Sequence, residues 1–385
     1  MGYRANVFAQ VLQHLPKLEF QKIVLKHRGD YRVRTLDCWT WFGALLFGQL
    51  TGHNSIRSIE KAFRCNHPGL KTLGFREFCR STLAEANERR PTGVLEETFY
   101  RMLSIAQREA PASKFRFAGR VWAVDATIID LCLSLCPWAR FHHDQGAFKL
   151  HTAIDLAGDL PQFAVVTPGE KNDLSVGLRL AFPAGTTVVM DRQYQDYAWF
   201  WKLTSSGVWF VTRMKSNCQH RVRVCRETNR TQGVICDQTI VLSSKRGQNY
   251  PGDLRKVSYR DPETGKRLIF LTNRFDLSPQ TIADLYKARW QVELFFKTMK
   301  GQLRIKKFLG TRVQSVQAQI WVALIAYLLV SMIRFRSRLT WSIPDTMAVI
   351  GVMLFCRQHL ASLFARAPTL RLAPPGPSQL CLWAT

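Results

Sequence analysis

The chain has 385 residues, 46% of them hydrophobic, with 54 Lys plus Arg against 28 Asp plus Glu and a net charge of +26. That length calls for two or three units with real cores and excludes a disordered chain. The charge suits a polyanion, because neutralising phosphates releases counterions. It is spread along the sequence rather than gathered on one amphipathic helix, which favours nucleic acid over a membrane surface. Ten cysteines without a CxxC pair exclude a disulfide framework. The nearest metal-like spacings, Cys132-x3-Cys136 with His142 and His143, and Cys218-x-His220-x4-Cys225, miss the usual zinc patterns. Buried free thiols in a reducing cytoplasm are expected, and the first residues lack the apolar segment of a signal peptide.

Residues 1–110 read as a helical domain suited to binding DNA. Apolar-periodic runs at Val7–Leu15, Leu18–Lys26, Leu36–Leu50, Ile56–Phe63, Phe75–Asn87 and Val94–Ala106 are separated by Gly- and Pro-containing turns. From about residue 118 to 335 the pattern becomes mixed α/β. Strands are predicted at Val121–Ile129, Ala147–Leu156 and Gln162–Thr167, with a hairpin turn at Gly158-Asp159-Leu160-Pro161. A helix over Asp173–Ala181, a strand ending at Asp191, a helix over Tyr197–Ser205 and a strand over Val208–Arg213 follow. Residues 216–276 break the alternation and read as a β-rich insertion, with pieces at Val234–Val241, Arg255–Tyr259 and Leu268–Leu271. A helix starting at Ser278-Pro279 carries on through Lys300. The run Ile320–Ile333 is too short to span a bilayer and reads as a buried helix. Residues 336–385 form a helical segment and a Pro-rich tail containing Pro368, Pro374, Pro375 and Pro377.

Three carboxylates stand out. Asp125 interrupts Val-Trp-Ala-Val-Asp-Ala-Thr-Ile-Ile, and Asp191 ends Thr-Val-Val-Met-Asp. A buried carboxylate without a cation or a network is costly, so each needs a partner. Glu293 lies in Tyr286-Lys-Ala-Arg289-Trp290-Gln-Val-Glu293-Leu-Phe-Phe-Lys297-Thr-Met-Lys300. At about 100° per residue, Tyr286, Arg289, Glu293 and Lys300 share an arc of roughly 60°. Leu285, Val292, Phe295, Phe296, Met299 and Leu303 form the neighbouring apolar arc. A solvated face with an Arg289–Glu293 ion pair explains this helix taken alone. Three converging acids would instead repel one another without divalent cations, and hard oxygen donors suit Mg²⁺. Asp130 points to the opposite strand face from Asp125, while Asp155, Asp159, Asp173 and Asp196 read as turn or helix-start residues.

With Asp125, Val-Met-Asp191-Arg-Gln-Tyr and Tyr286-x2-Arg289-x3-Glu293-x6-Lys300 in that order, the chain resembles the DDE transposases of bacterial insertion sequences. The match is to the large insertion-sequence-four branch named for its Tyr-Arg-Glu-Lys motif. Val7-Phe-Ala-Gln-Val-Leu-Gln-His-Leu, Ile129-Asp-Leu-Cys-Leu-Ser-Leu, Lys149-Leu-His-Thr and Gln319-Ile-Trp-Val-Ala-Leu-Ile-Ala-Tyr extend it over nearly the whole chain. The resemblance implies an RNase H-like α/β fold with a β-rich insertion between the second Asp and the Glu, preceded by the helical domain. It implies that Asp125, Asp191 and Glu293 are catalytic and hold two Mg²⁺ ions, for which Mn²⁺ is an acceptable substitute. Tyr286, Arg289, Trp290, Lys297 and Lys300 would bind DNA, with Trp290 stacking near a displaced base. The implied partners are double-stranded DNA, as terminal inverted repeats and as target, and a second copy of the chain in a homodimeric synaptic complex. Cut-and-paste transfer through a hairpin, in the bacterial cytoplasm at the nucleoid, completes that expectation. A non-transposing RNase H-like nuclease and an inactive repeat-binding copy are the alternatives.

The sequence departs from the family pattern at three places. Gln193 stands where Gly is usual after Asp-Arg, which would strain the backbone if φ were positive there. Asn172 stands where His is frequent. No Trp lies between Trp209 and Trp290, leaving Tyr250 or Tyr259 as the aromatic candidates in the insertion.

Overall fold

Ten strands form one continuous mixed sheet in the computed structural model of the chain. The structure describes residues 5–110, 119–131, 136, 138, 140–142, 145–156, 160–228, 233–301 and 308–365. The Pro-rich tail, Cys132, His143, Gly158-Asp159 of the hairpin turn and Leu303 lie outside them.

The first strand, β1 (Arg120–Leu131), is the hub of the sheet. It pairs antiparallel with β3 (Gln145–Asp155), which carries the short β2 (Arg140–His142) and β4 (Leu160–Pro168). On its other side β1 pairs parallel with β5 (Thr186–Met190), and β5 pairs parallel with β6 (Trp209–Arg213). The order β4-β3-β1-β5-β6, three antiparallel strands followed by two parallel ones, is that of an RNase H-like sheet. The sheet then continues through β10 (Arg267–Thr272), β9 (Leu254–Arg260), β8 (Val234–Leu242) and β7 (His220–Arg226), all antiparallel. The β-prone stretch at 216–276 therefore does not make a separate body. It holds four strands rather than the three that the sequence reading picks out, and they prolong the main sheet beyond β6.

Before the sheet come α1 (Val7–Leu12), α2 (Lys17–Lys26), α3 (Cys38–Thr51), α4 (Ile56–Cys65), α5 (His67–Lys71), α6 (Arg80–Arg89) and α7 (Gly93–Glu109). The short α5 occupies the stretch between Phe63 and Phe75 that reads as a turn, and α6 starts five residues later than predicted. The Asp37 carboxylate accepts from the Thr40 N–H at 2.7 Å to start α3, and Gly52 at φ +75° ends it. The long α12 (Val313–Arg336) is apolar on every side and is buried almost throughout. It packs against α3, α6 and α7 and against α13 (Ile343–Met353), so the N-terminal helices and α12 share one core. A helix hydrophobic all round needs that enclosure. A side chain at Gly351 of α13 would collide with the Leu50 carbonyl of α3, so glycine permits their close approach. The last described helix is α14 (Leu360–Ala365).

The two faces of the sheet bury different clusters. Val121, Ala123 and Val189 join the core of α7, α12 and the helices that follow β10. Val124, Val188 and Met190 point the other way, into a cluster with α9 (Tyr197–Ser205) beside the short α8 (Asp173–Gly177). This alternation decides on which side each acid emerges.

Candidate active site

Val124 and Met190 are neighbours in the parallel β1–β5 ladder, and they are its last pair. One residue further along both strands stand Asp125 and Asp191. Asp125 thus lies within a longer strand rather than at its end, at the point where β5 stops covering it. Its alternation places it on the face of α7 and α12. Asp191 is still extended (φ −71°, ψ 160°), so it emerges on the same face. Its carboxylate accepts from the Gln193 N–H at 3.1 Å and starts the 3-10 turn Arg192–Tyr194. The residues with positive φ other than glycine are, among the described residues, Arg28, Arg32 and Arg338. Gln193 is not one of them, so glycine is not required there, and its backbone N–H helps to hold Asp191.

Glu293 arrives from the other side of the sequence. The predicted single helix is two helices, α10 (Pro279–Ala288) and α11 (Trp290–Gly301), joined at Arg289. The Ser278 hydroxyl accepts from the Thr281 N–H at 3.1 Å, with Pro279 in the first turn, as the sequence suggests. Val292, Phe295, Phe296 and Met299 anchor α11 in the core and present its remaining face along β1. At the joint, Arg289 Nη1 donates to Asp125 Oδ2 at 2.8 Å and Nη2 donates to Glu293 Oε1 at 2.9 Å. The Arg289–Glu293 pair that a solvated helix face would carry is present. However, the guanidinium is only 14% exposed and reaches a carboxylate 164 residues earlier in the chain.

Asp125 has its pKa raised to about 6 by burial and by the like charges of Asp191 and Glu293. Arg289 and the Ala126 N–H, which donates at 2.9 Å, oppose that rise only partly. Burial is the largest cause of that rise. Tyr286 is buried against Phe270 and beneath Arg289, and burial raises its phenol pKa. Trp290 is 59% exposed, Lys297 is exposed and Lys300 is half-buried. The structure therefore brings Asp125, Arg289 and Glu293 into direct contact with Asp191 alongside, and leaves Trp290 and Lys297 on the rim. Tyr250 and Tyr259 are both 2% exposed, so neither is available for stacking.

Two features escaped the sequence reading. Arg213 follows Thr212, the ladder partner of Met190, and so stands beside Asp191, close enough to act on Tyr286. On the opposite face Asp173 is more than a helix-start residue. It pairs with Lys149 at 3.1 Å and lies 3.9 Å from the buried His151, while Tyr194 places an unpartnered hydroxyl nearby. The only hint in the sequence was the Lys149-Leu-His-Thr segment.

Among the described residues, no group of three or more His, Cys, Asp or Glu is drawn close enough to hold a metal ion, because Arg289 stands between two of the three acids. The Cys218, His220 and Cys225 spacing gives no such group either. The donor chemistry of Asp125, Asp191 and Glu293 nevertheless fits a hard divalent cation.

Comparison with known proteins identifies the family. A family model described as a transposase DDE domain matches residues 116–329, and one described as a domain of unknown function (DUF4372) matches residues 4–76. Putative transposase y4zB of Sinorhizobium fredii is 33% identical over 73% of this chain and 79% of its own length. A probable transposase for insertion sequence element IS5377 from Geobacillus stearothermophilus is 30% identical over 70% of this chain and 71% of its own. A putative transposase for insertion sequence element IS4SA from Synechocystis is 24% identical over 76% and 80%. With the family model covering more than half its length, the chain belongs to the DDE transposases of insertion sequences, enzymes of metal-dependent DNA cleavage and transfer.

Proposed function

We propose that this transposase cuts at the terminal inverted repeats of its element and joins the freed 3′-hydroxyl to target DNA, with Asp125, Asp191 and Glu293 as the catalytic carboxylates. The observation that carries the proposal is the position of Asp125 and Asp191, each one residue beyond the last pair of the parallel β1–β5 ladder, with Glu293 tied to Asp125 through Arg289. The three acids would hold two Mg²⁺ ions, with Mn²⁺ as a substitute. When bound, such ions lower the pKa of an attacking hydroxyl and neutralise charge on the phosphodiester. The chain's own part is to hold the acids on a rigid sheet and helix, and to fix the DNA beside them. Trp290, Lys297 and Lys300 would line the DNA side of α11, with Arg289 and Tyr286 beside the acids.

Residues 1–110 are proposed as the repeat-recognition unit. Arg28, Arg32 and Arg34 are exposed there, and none has an acidic partner among the described residues. Residues 118–335 carry the chemistry, including the strands within 216–276, and residues 336–385 complete the chain. Cut-and-paste through a hairpin, in a homodimeric synaptic complex in the bacterial cytoplasm, is the route that fits this family. A linear duplex carrying the terminal repeat with flanking DNA beyond its boundary, incubated with Mg²⁺ and a supercoiled target plasmid, tests it. Hairpin ends and plasmid linearised by two-ended insertion are expected. Nicked products that never join target DNA would contradict the transfer step.

A further inference from the structure

Arg289 is placed as the resident cation of the acids rather than as a free DNA contact. One guanidinium serves two carboxylates with one N–H each, from Nη1 to Asp125 and from Nη2 to Glu293. Its Nε is buried and has no hydrogen-bond partner among the described residues. The pairing is therefore sound but not bidentate to either acid, whereas a phosphodiester offers two oxygens that a guanidinium fork can take together. Arg289 also sits at the break between α10 and α11 rather than inside a regular helix. Next to it, Trp290 and Leu294 are 59% and 48% exposed, and Lys297 is exposed. A DNA backbone lying along that rim would pass beside the joint.

We infer that Arg289 couples DNA binding to metal binding: without DNA it occupies the carboxylates, and a DNA phosphate that captures the guanidinium frees Asp125 and Glu293 for the cations. This rests on the reading of the three acids as the metal site. The DNA-free enzyme then binds divalent ions weakly, because Arg289 already occupies one oxygen each of Asp125 and Glu293 and offsets part of their charge. Linkage requires the effect to be mutual, with metal tightening DNA by the same factor as DNA tightens metal.

The test is Mn²⁺ affinity, read from the paramagnetic signal of the free ion, for the full chain with and without a terminal-repeat duplex. Arg289→Gln is expected to bind Mn²⁺ about tenfold more tightly than wild type without DNA, within the usual range of such couplings. The duplex is expected to tighten Mn²⁺ binding by wild type to a similar degree and to change the variant little. Arg289→Lys keeps the charge but reaches one carboxylate at a time, so a smaller tightening is expected. It carries the test if Arg289→Gln does not fold. Equal Mn²⁺ affinity in wild type and variants, or DNA tightening all of them alike, overturns the coupling. Asp125→Asn/Glu293→Gln separates the two failures. Mn²⁺ binding retained there sinks the metal-site reading itself, whereas binding lost there but indifferent to Arg289 sinks only the coupling.

Discussion

Replacing Asp237 with Asn attacks a bidentate ion pair buried among the outer strands. Asp237 on β8 and Arg255 on β9 are each only 3% exposed, and two hydrogen bonds of 2.8 and 2.7 Å join them in a bidentate pair. Arg226 on β7 adds a third contact at 3.3 Å. Arg255 also donates to the carbonyls of Arg274 and Leu277, at 3.2 and 2.6 Å, just before α10 begins. The pair therefore holds the outer strands and fixes the entry to the helix pair that bears Glu293. Removing the carboxylate charge leaves a guanidinium buried without its counter-ion, a loss of about 3–5 kcal/mol. At roughly 2–4 °C per kcal/mol for a unit of 150–250 residues, melting should fall by on the order of 10 °C. Thermal melting followed by intrinsic tryptophan fluorescence, with a urea titration beside it, measures both numbers. Asp237→Leu combined with Arg255→Met removes both charges and should cost less than Asp237→Asn alone. A loss below about 1 kcal/mol for the single variant, the usual worth of an exposed pair, would refute the reasoning.

Two further outcomes follow from side chains already described. His151 is 1% exposed, and burial holds its pKa down at about 4, with Lys149 pushing the same way and Asp173 opposing them. The unfolded chain binds more protons than the folded one between pH 6.5 and about 4, so stability falls as pH drops through that window and levels off below it. The contribution is on the order of 3 kcal/mol. Asp125, raised to about 6, acts in the opposite sense over part of the same range. The informative quantity is thus the difference between wild type and His151→Gln in urea titrations at pH 7 and pH 4.5, and an unchanged pH slope in the variant would remove His151 from the account. Trp290→Ala should weaken terminal-repeat DNA binding by about 1–3 kcal/mol in a fluorescence-anisotropy titration while leaving the melting temperature nearly unchanged. The same affinity as wild type would mean that its exposed ring does not meet DNA.

Much of the site was legible because the acids break local rules. Asp125 inside an apolar strand and Asp191 at the end of another demanded partners, and Glu293 sat among cations. What the sequence did not reveal is where those demands are met across long separations. The break at Arg289 falls in a run of good helix formers, and only the pull of Asp125, on a strand far earlier, marks the position. β7 was missed because its residues are almost all exposed and basic. Val222 and Val224 alternate with Arg221 and Arg223, but both valines stay exposed, so the alternation marks no buried face and the strand is held by its ladder to β8. The apolar α12 was recognisable as a buried helix, but its packing on α3, α6 and α7 depends on contacts more than 200 residues apart. Gln193 raised a question about strain that the backbone answers, since the turn after Asp191 has no positive φ and uses the Gln193 N–H.

Cleavage of a labelled terminal-repeat duplex with Mg²⁺, by wild type and by Asp125→Ala, Asp191→Ala and Glu293→Ala, tests the central claim most directly. Wild type should cut at the repeat boundary, and each single variant should lose cleavage while still binding the duplex. Cleavage that survives all three substitutions would contradict the assignment of these carboxylates.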